Sequence, residues 1–343
     1  MTSSNDQRGE TRSTAGTDQL AHPTLYWRRL IELGPELGGD WHPVHGGGPQ
    51  LELPTEPTAQ GEAEIVEADG TFEIHDVGSS TSSRFEFFLD GIEYTRICGY
   101  IGVVPIVHGY VAAVVRQRRD REFTTWDVRE EEVLAFPHAL VPPGRFRDLG
   151  FPAEILLDSA SEADQLHPIG LAESGRAAVK FRRAAIERGL AREWARQRPG
   201  AGWLFVDGRL AIDPDLLKSG RAIGLVKSHR TQFLSPRDMT RVLQMAGQHR
   251  SSIFKPVRPE IGEVYSWYLR LRPTSGRDIY WALARIEARR DPETIELADE
   301  ISRWLLAETS PLALPDPRWH VLMYPIRDCE TFLRSRKPTL EVS

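Results

Sequence analysis

Cysteine is nearly absent from this chain. Its 343 residues hold two, Cys98 and Cys329, far apart and without the spacing of a metal knuckle or a redox pair. That argues against a disulfide framework or a cysteine zinc site and fits a reducing, cytoplasmic compartment. Long apolar runs are missing too: none approaches the roughly 18 residues of a membrane span. The N-terminus, MTSSNDQRGETRSTAGTDQ, lacks an apolar core and is not a secretory signal. Its Ser/Thr/Gly/charged make-up reads as a disordered leader over residues 1–20. No internal repeat is evident, and no Gly-rich loop opens a helix. HGGGP at 45–49 lies in a Pro-rich stretch with no helix behind it, which argues against a phosphate loop of the nucleotide-binding kind.

Acids outnumber bases, for a net charge of −6, but the charge is unevenly placed. Residues 1–82 carry 14 acids against 4 arginines, a net of −10, so the remainder carries +4. Eight Lys/Arg lie in residues 176–198 and seven in residues 227–258. An acidic N-terminal region attached to a basic working domain is the expectation; a basic helix is more often just a solvated face, and nucleic-acid contact is the other reading.

The pattern along the chain predicts an amphipathic helix over 21–37 and a Gly/Pro-rich loop, linker or docking segment over 40–64. From residue 84 it turns to β: FEFFLDGIEY, then TRICGYIGVVPIVHGYVAAVVRQR as hairpin-linked strands. A long Ala/Arg/Glu-rich helix covers about 173–197 and is ended by Pro199-Gly200. The strands WLFVDG and AIGLVKS follow, then a Ser-Pro-capped helix at 235–248 and a strand VYSWYLRLRP. Strands first, then alternating helices and strands, point to an α/β fold with a mixed sheet flanked by helices. We divide the chain into the leader, an acidic segment over 21–82, a main domain over 83–335 and a tail over 336–343.

Two of these strands deliver an Asp-Gly at their ends: Asp90 in FEFFLDG and Asp207 in WLFVDG. An acid at a strand tip packs poorly but is well placed to hold a divalent metal, and the Gly lets the chain turn beside it. Glu187, set among the arginines of FRRAAIERGLARE, lies 20 residues before Asp207 on the helix feeding that strand, with Glu173 as second choice. A strand-terminal Asp-Gly is commonly just a turn, and a Glu among arginines commonly a salt-bridge partner. The combination is more specific than any member. Lys227 closes the next apolar run, and Ser228, His229 and Arg230 beside it form a donor-rich patch suited to phosphate. Arg182 and Arg183 lie on the basic helix. Tyr268 and Arg270, on the VYSWYLRLRP strand, are either sheet core or the lining of a nucleic-acid groove.

In order and approximate spacing, FFLDG, IERGLA, LFVDGRL, GLVKS and the late MYP segment resemble the NurA nucleases over roughly residues 84–335. The resemblance implies an RNase H-like core, a Mn²⁺-dependent (or Mg²⁺-dependent) DNA nuclease, a homodimer, and partnership with a HerA-type hexameric ATPase in end processing or antiviral defence. Position by position, it makes Asp90, Glu187 and Asp207 the metal acids, Lys227 the lysine beside them, and, loosely, Tyr268 the family's tyrosine. The chain departs from the family pattern in two places. The first motif continues Asp-Gly-Ile-Glu where the family usually has Asp-Gly-Ser, and no His follows Tyr-Pro in MYPIRDCETFLRSR. Asp328 is the acid the chain offers as fourth ligand, since His320 precedes the motif.

Three readings compete. The first is a metal-dependent DNA nuclease working with a ring translocase, the second a catalytically inactive RNase H-like module that binds nucleic acid or docks on a ring ATPase. A phosphohydrolase acting on a small molecule is the third, and it lacks the phosphate loop it would need. The first leads.

Overall fold

The computed structural model describes residues 25–37, 41–43, 59–120, 122–159, 167–197, 202–210, 214–257, 263–274, 279–310 and 323–337. The expected leader over 1–20, His320, and residues 44–58 of the stretch read as a linker lie outside them.

Aromatic and β-branched residues build three long strands, β1 (Phe85–Ile101), β2 (Val104–Arg119) and β3 (Glu122–Phe136), joined as antiparallel hairpins. A 30-residue helix, α1 (Pro168–Gln197), then returns the chain to β4 (Trp203–Asp207) and β5 (Ala222–Val226). β4 lies parallel to β1, and β5 parallel to β4. The spatial order β3-β2-β1-β4-β5, with β2 alone running against the rest, is an RNase H-like core. Beyond β5 the sheet continues through β7 (Leu283–Arg289) to β6 (Val264–Arg270), both in antiparallel pairing. Among the described residues the sheet has 13 strands in all.

Both faces of the sheet are covered, which is why these strands read as nearly continuous apolar runs. Val179, Ile186, Leu190 and Trp194, spaced four or seven residues apart on α1, pack on Phe87, Leu89 and Val111. On the opposite face α2 (Pro292–Glu308) and α3 (Tyr324–Arg336) pack Ile301, Trp304, Ile326 and Cys329 on Phe85, Phe88 and Phe205. Phe85, Phe87 and Phe88 are buried, and each contributes about 2–3 kcal/mol of transfer free energy. Helix starts follow their caps: Asp291 accepts from the Thr294 amide at 3.0 Å, and Ser235 from that of Asp238 at 3.1 Å.

The structure departs from the expected strand limits at Asp90. β1 does not end there: Asp90 pairs with Val114, Gly91 with Ala113, and the ladder runs on to Ile101. What ends is the pairing with β4, whose last partners are Leu89 and Val206. β1 has 17 residues and β4 only 5, so the sheet has a step, and Asp90 stands on it. Part of the stretch read as loop also enters sheets. Residues 63–65 pair with the strand Phe254–Pro256, and residues 59–60 with Thr231 and Gln232.

Candidate active site

Because Leu89 pairs with Val206, the next residues, Asp90 and Asp207, are neighbours on adjacent parallel strands, about 4.8 Å apart along the sheet. By strand alternation both side chains lie on the face that carries Phe88 and Phe205. Asp207 is the last residue of β4, and Gly208 turns the chain there at φ 138°. Lys227 follows β5, the strand on the far side of β4, and its Nζ donates to Asp207 Oδ2 at 2.8 Å.

The third acid arrives from the other layer. Glu187 on α1 reaches the step beside Gly91: a Cβ at position 91 would lie 2.2 Å from Glu187 Oε1. The sequence suggested that Gly91 turns the chain; in the structure it continues the strand and makes room for a carboxylate. Arg183, one turn before Glu187, donates to Glu187 Oε1 at 2.6 Å and to Glu93 Oε2 at 2.9 Å. Glu173, 14 residues earlier on the same helix, is about 21 Å away along its axis.

These acids strain one another. Asp90, 6% exposed, has its carboxyl raised well above the usual range, first by burial and then by Asp207, with Glu187 and Glu330 adding and Lys227 opposing. Burial lifts Glu187 to about 7, with Asp207 and Glu93 adding to the effect of burial against the opposing pull of Arg183. Among the described residues no three His, Cys, Asp or Glu side chains converge into a ready-made metal site. Asp207 and Glu187 are instead turned toward Lys227 and Arg183. The donor set still suits a hard divalent cation: oxygen ligands only, with mutual repulsion that such a cation would relieve.

On α3 two acids lie on opposite flanks, Asp328 and Glu330. Asp328 is committed to Arg116, whose Nε donates to Oδ2 at 2.7 Å over β2. Cys329 points down at the sheet, its Sγ 3.5 Å from the Phe88 carbonyl. Glu330 is about 200° round the helix from Asp328 and emerges on the other flank, where its charge bears on Asp90. The helical phase of MYPIRDCETF holds this information once Cys329 is known to be buried.

Of the residues expected to contact nucleic acid, two lie inside the fold. Tyr268 and Arg270 are fully buried, because β6 is an interior strand with both faces covered. The Arg270 guanidinium donates to the carbonyls of Trp281, of Leu243 at 2.9 Å and of Ile279 at 3.0 Å, and burial pushes the Tyr268 phenol up to about 12. Arg182 pairs with Glu131 at 2.5 Å, so this arginine and Arg183 brace α1 against β3 and β1. His229 stacks on Tyr280 and has its Nε2 3.0 Å from the Leu283 carbonyl, and burial lowers its proton affinity. Ser228 is exposed, and Arg230 is half-buried, its carbonyl accepting from the Ala59 amide at 2.9 Å.

Two further residues border the site unannounced by any motif. Arg209, just past the Asp207 turn, is 43% exposed, and Glu287 on β7 is wholly buried behind it.

No family model matches the chain, and no curated protein matches it. Among solved structures, it is similar to the NurA nuclease from Sulfolobus solfataricus, at 12% identity and a TM-score of 0.43, over 75% of this chain and 81% of that one. It is also similar to the catalytic domain of human endonuclease V, at 13% identity and a TM-score of 0.31, over 91% of this chain and 96% of that one.

Proposed function

We propose that this chain is a metal-dependent nuclease that hydrolyses phosphodiester bonds in DNA. One observation carries the reading: an RNase H-like sheet brings Asp90, Asp207 and Glu187 from two strands and a helix to one step, where burial and mutual repulsion hold Asp90 and Glu187 above their ordinary proton affinity. Asp90 and Asp207 would hold the cation, Mn²⁺ or Mg²⁺, with Glu330 rather than Asp328 as the acid facing them from α3. When bound, the cation would supply charge neutralisation on the phosphate and a more acidic water. Glu187, whose carboxyl titrates near neutrality, is suited to orient that water and accept its proton. Lys227, now on Asp207, would turn to the phosphate as the carboxylate takes a new partner.

From the sequence resemblance we further propose a homodimer that receives DNA from a HerA-type hexameric ATPase, in end processing or antiviral defence. A second reading, an inactive nucleic-acid-binding module, is favoured by one feature: the pairing of Glu187 and Asp207 with Arg183 and Lys227 in place of a converged metal site. Cleavage of end-labelled single- and double-stranded DNA with Mn²⁺, wild type beside Asp207→Asn, separates the two. Metal-dependent cleavage that the variant loses establishes the nuclease. Binding without cleavage by either protein, also after a ring translocase is added, establishes the module.

A further inference from the structure

After Asp207 the chain does not leave the sheet but folds back across β5. Gly224 permits this: a Cβ there would lie 2.5 Å from the Gly208 carbonyl oxygen and 2.8 Å from the Leu210 nitrogen. The crossing is fastened from the next strand. Glu287 pairs across the sheet with Gly224, and its Oε2 accepts from the Leu210 amide at 2.8 Å. Its Oε1 lies 2.8 Å from Arg285 and 4.0 Å from the Nε of Arg209.

A carboxylate without solvent contact carries a desolvation cost of several kcal/mol, so this one marks a place where geometry matters. What it fixes is the loop beyond Asp207, through the Leu210 amide, and it sets a negative charge 4.0 Å from the Nε of Arg209. The other two cations at the step are closely held by the acids of the site: Arg183 by Glu187 at 2.6 Å, Lys227 by Asp207 at 2.8 Å. Their side chains are 24% and 30% exposed, against 43% for Arg209. Arg209 is thus the most exposed of the three, and Glu287, the acid 4.0 Å from its Nε, is a buried residue of the scaffold. Its Cα is at most about 7 Å from that of Asp207.

We infer that Arg209 binds a backbone phosphate next to the scissile one, and that Glu287 is a positioning residue that aims its guanidinium. This rests on the nuclease reading and adds to it a substrate contact outside the metal acids. An exposed guanidinium with a buried carboxylate near its Nε offers a phosphate two parallel donors, which a lysine does not.

The test measures binding of a fluorescein-labelled oligothymidylate to the full chain by anisotropy over a salt series, with EDTA present, alongside the cleavage assay on wild type and Asp207→Asn. Arg209→Ala is expected to weaken binding about tenfold and to lower the log–log salt slope by about one. Arg209→Lys should retain the slope and recover only part of the affinity. Glu287→Gln should weaken binding in the wild-type background and have no further effect in Arg209→Ala, whereas a purely structural role would weaken both equally. Unchanged affinity and slope in Arg209→Ala, with cleavage still dependent on Asp207, would overturn the inference and leave the nuclease standing. A wild type that neither binds nor cleaves overturns both.

Discussion

Gly91 and Glu187 occupy one space: the Cβ that any other residue would place at position 91 falls 2.2 Å from a Glu187 carboxylate oxygen. The glycine beside Asp90 thus serves its neighbour on α1. Replacing it with Ala forces Glu187 away from the step while leaving the acid itself in the sequence. We predict that Gly91→Ala lowers cleavage about a hundredfold, the scale of a misplaced catalytic group. Circular dichroism should show the sheet retained.

Glu187 also gives the site a pH signature. Its folded proton affinity, about 7, is raised above the ordinary 4.5, so the native state binds more protons than the unfolded chain between those values. Stability must therefore rise as pH falls from about 7 to 4.5, and above 7 the ionised acid costs up to about 3 kcal/mol. In EDTA, Glu187→Gln should melt above wild type at pH 8, and the gap should close by pH 4.5. A gap that widens on acidification would refute the assignment.

Glu330 and Asp328 make a matched pair for the metal reading. Glu330→Gln removes the acid that faces Asp90, and its cleavage should fall and recover with higher Mn²⁺. Asp328→Asn unties Arg116 from α3, and we expect a loss of about 1 kcal/mol in stability with the metal dependence unchanged. Cleavage measured against Mn²⁺ concentration distinguishes the two variants.

Arg270 should behave as part of the interior. Truncation to Ala leaves the carbonyls of Leu243, Ile279 and Trp281 without their donor. Unfolding by urea should show a loss of about 3 kcal/mol or more, while the folded fraction binds oligothymidylate as wild type does.

These contrasts show which parts of the molecule were legible in the sequence. The core was, because each element carries its own signal: alternating apolar strands, a long helix ended by Pro-Gly, and acids at the ends of buried runs. Asp207 lies where its Asp-Gly placed it. Asp90 looked like a strand end because the sequence shows where a favourable residue pattern breaks, not where a partner strand stops; that limit is set by β4, more than a hundred residues away. The arginines of α1 looked available because their acids, Glu131 on β3 and Glu93 on β1, are equally remote. Arg270 and Tyr268 could only be placed once β6 was known to be an interior strand. That Glu330, and not Asp328, lies on the flank where its charge bears on Asp90 is a matter of helical phase, visible once Cys329 is seen to pack against Phe88.

The unequal strands have a consequence for how the molecule is made. β1, β2 and β3 join through short turns and can pair as soon as they leave the ribosome, whereas β4 reaches β1 only after the whole of α1 has been built. A nascent chain stopped within α1 holds Asp90 on its hairpin with neither Asp207 nor Lys227 beside it. The acids come together only when β4 pairs with β1, so a half-made molecule carries no assembled site.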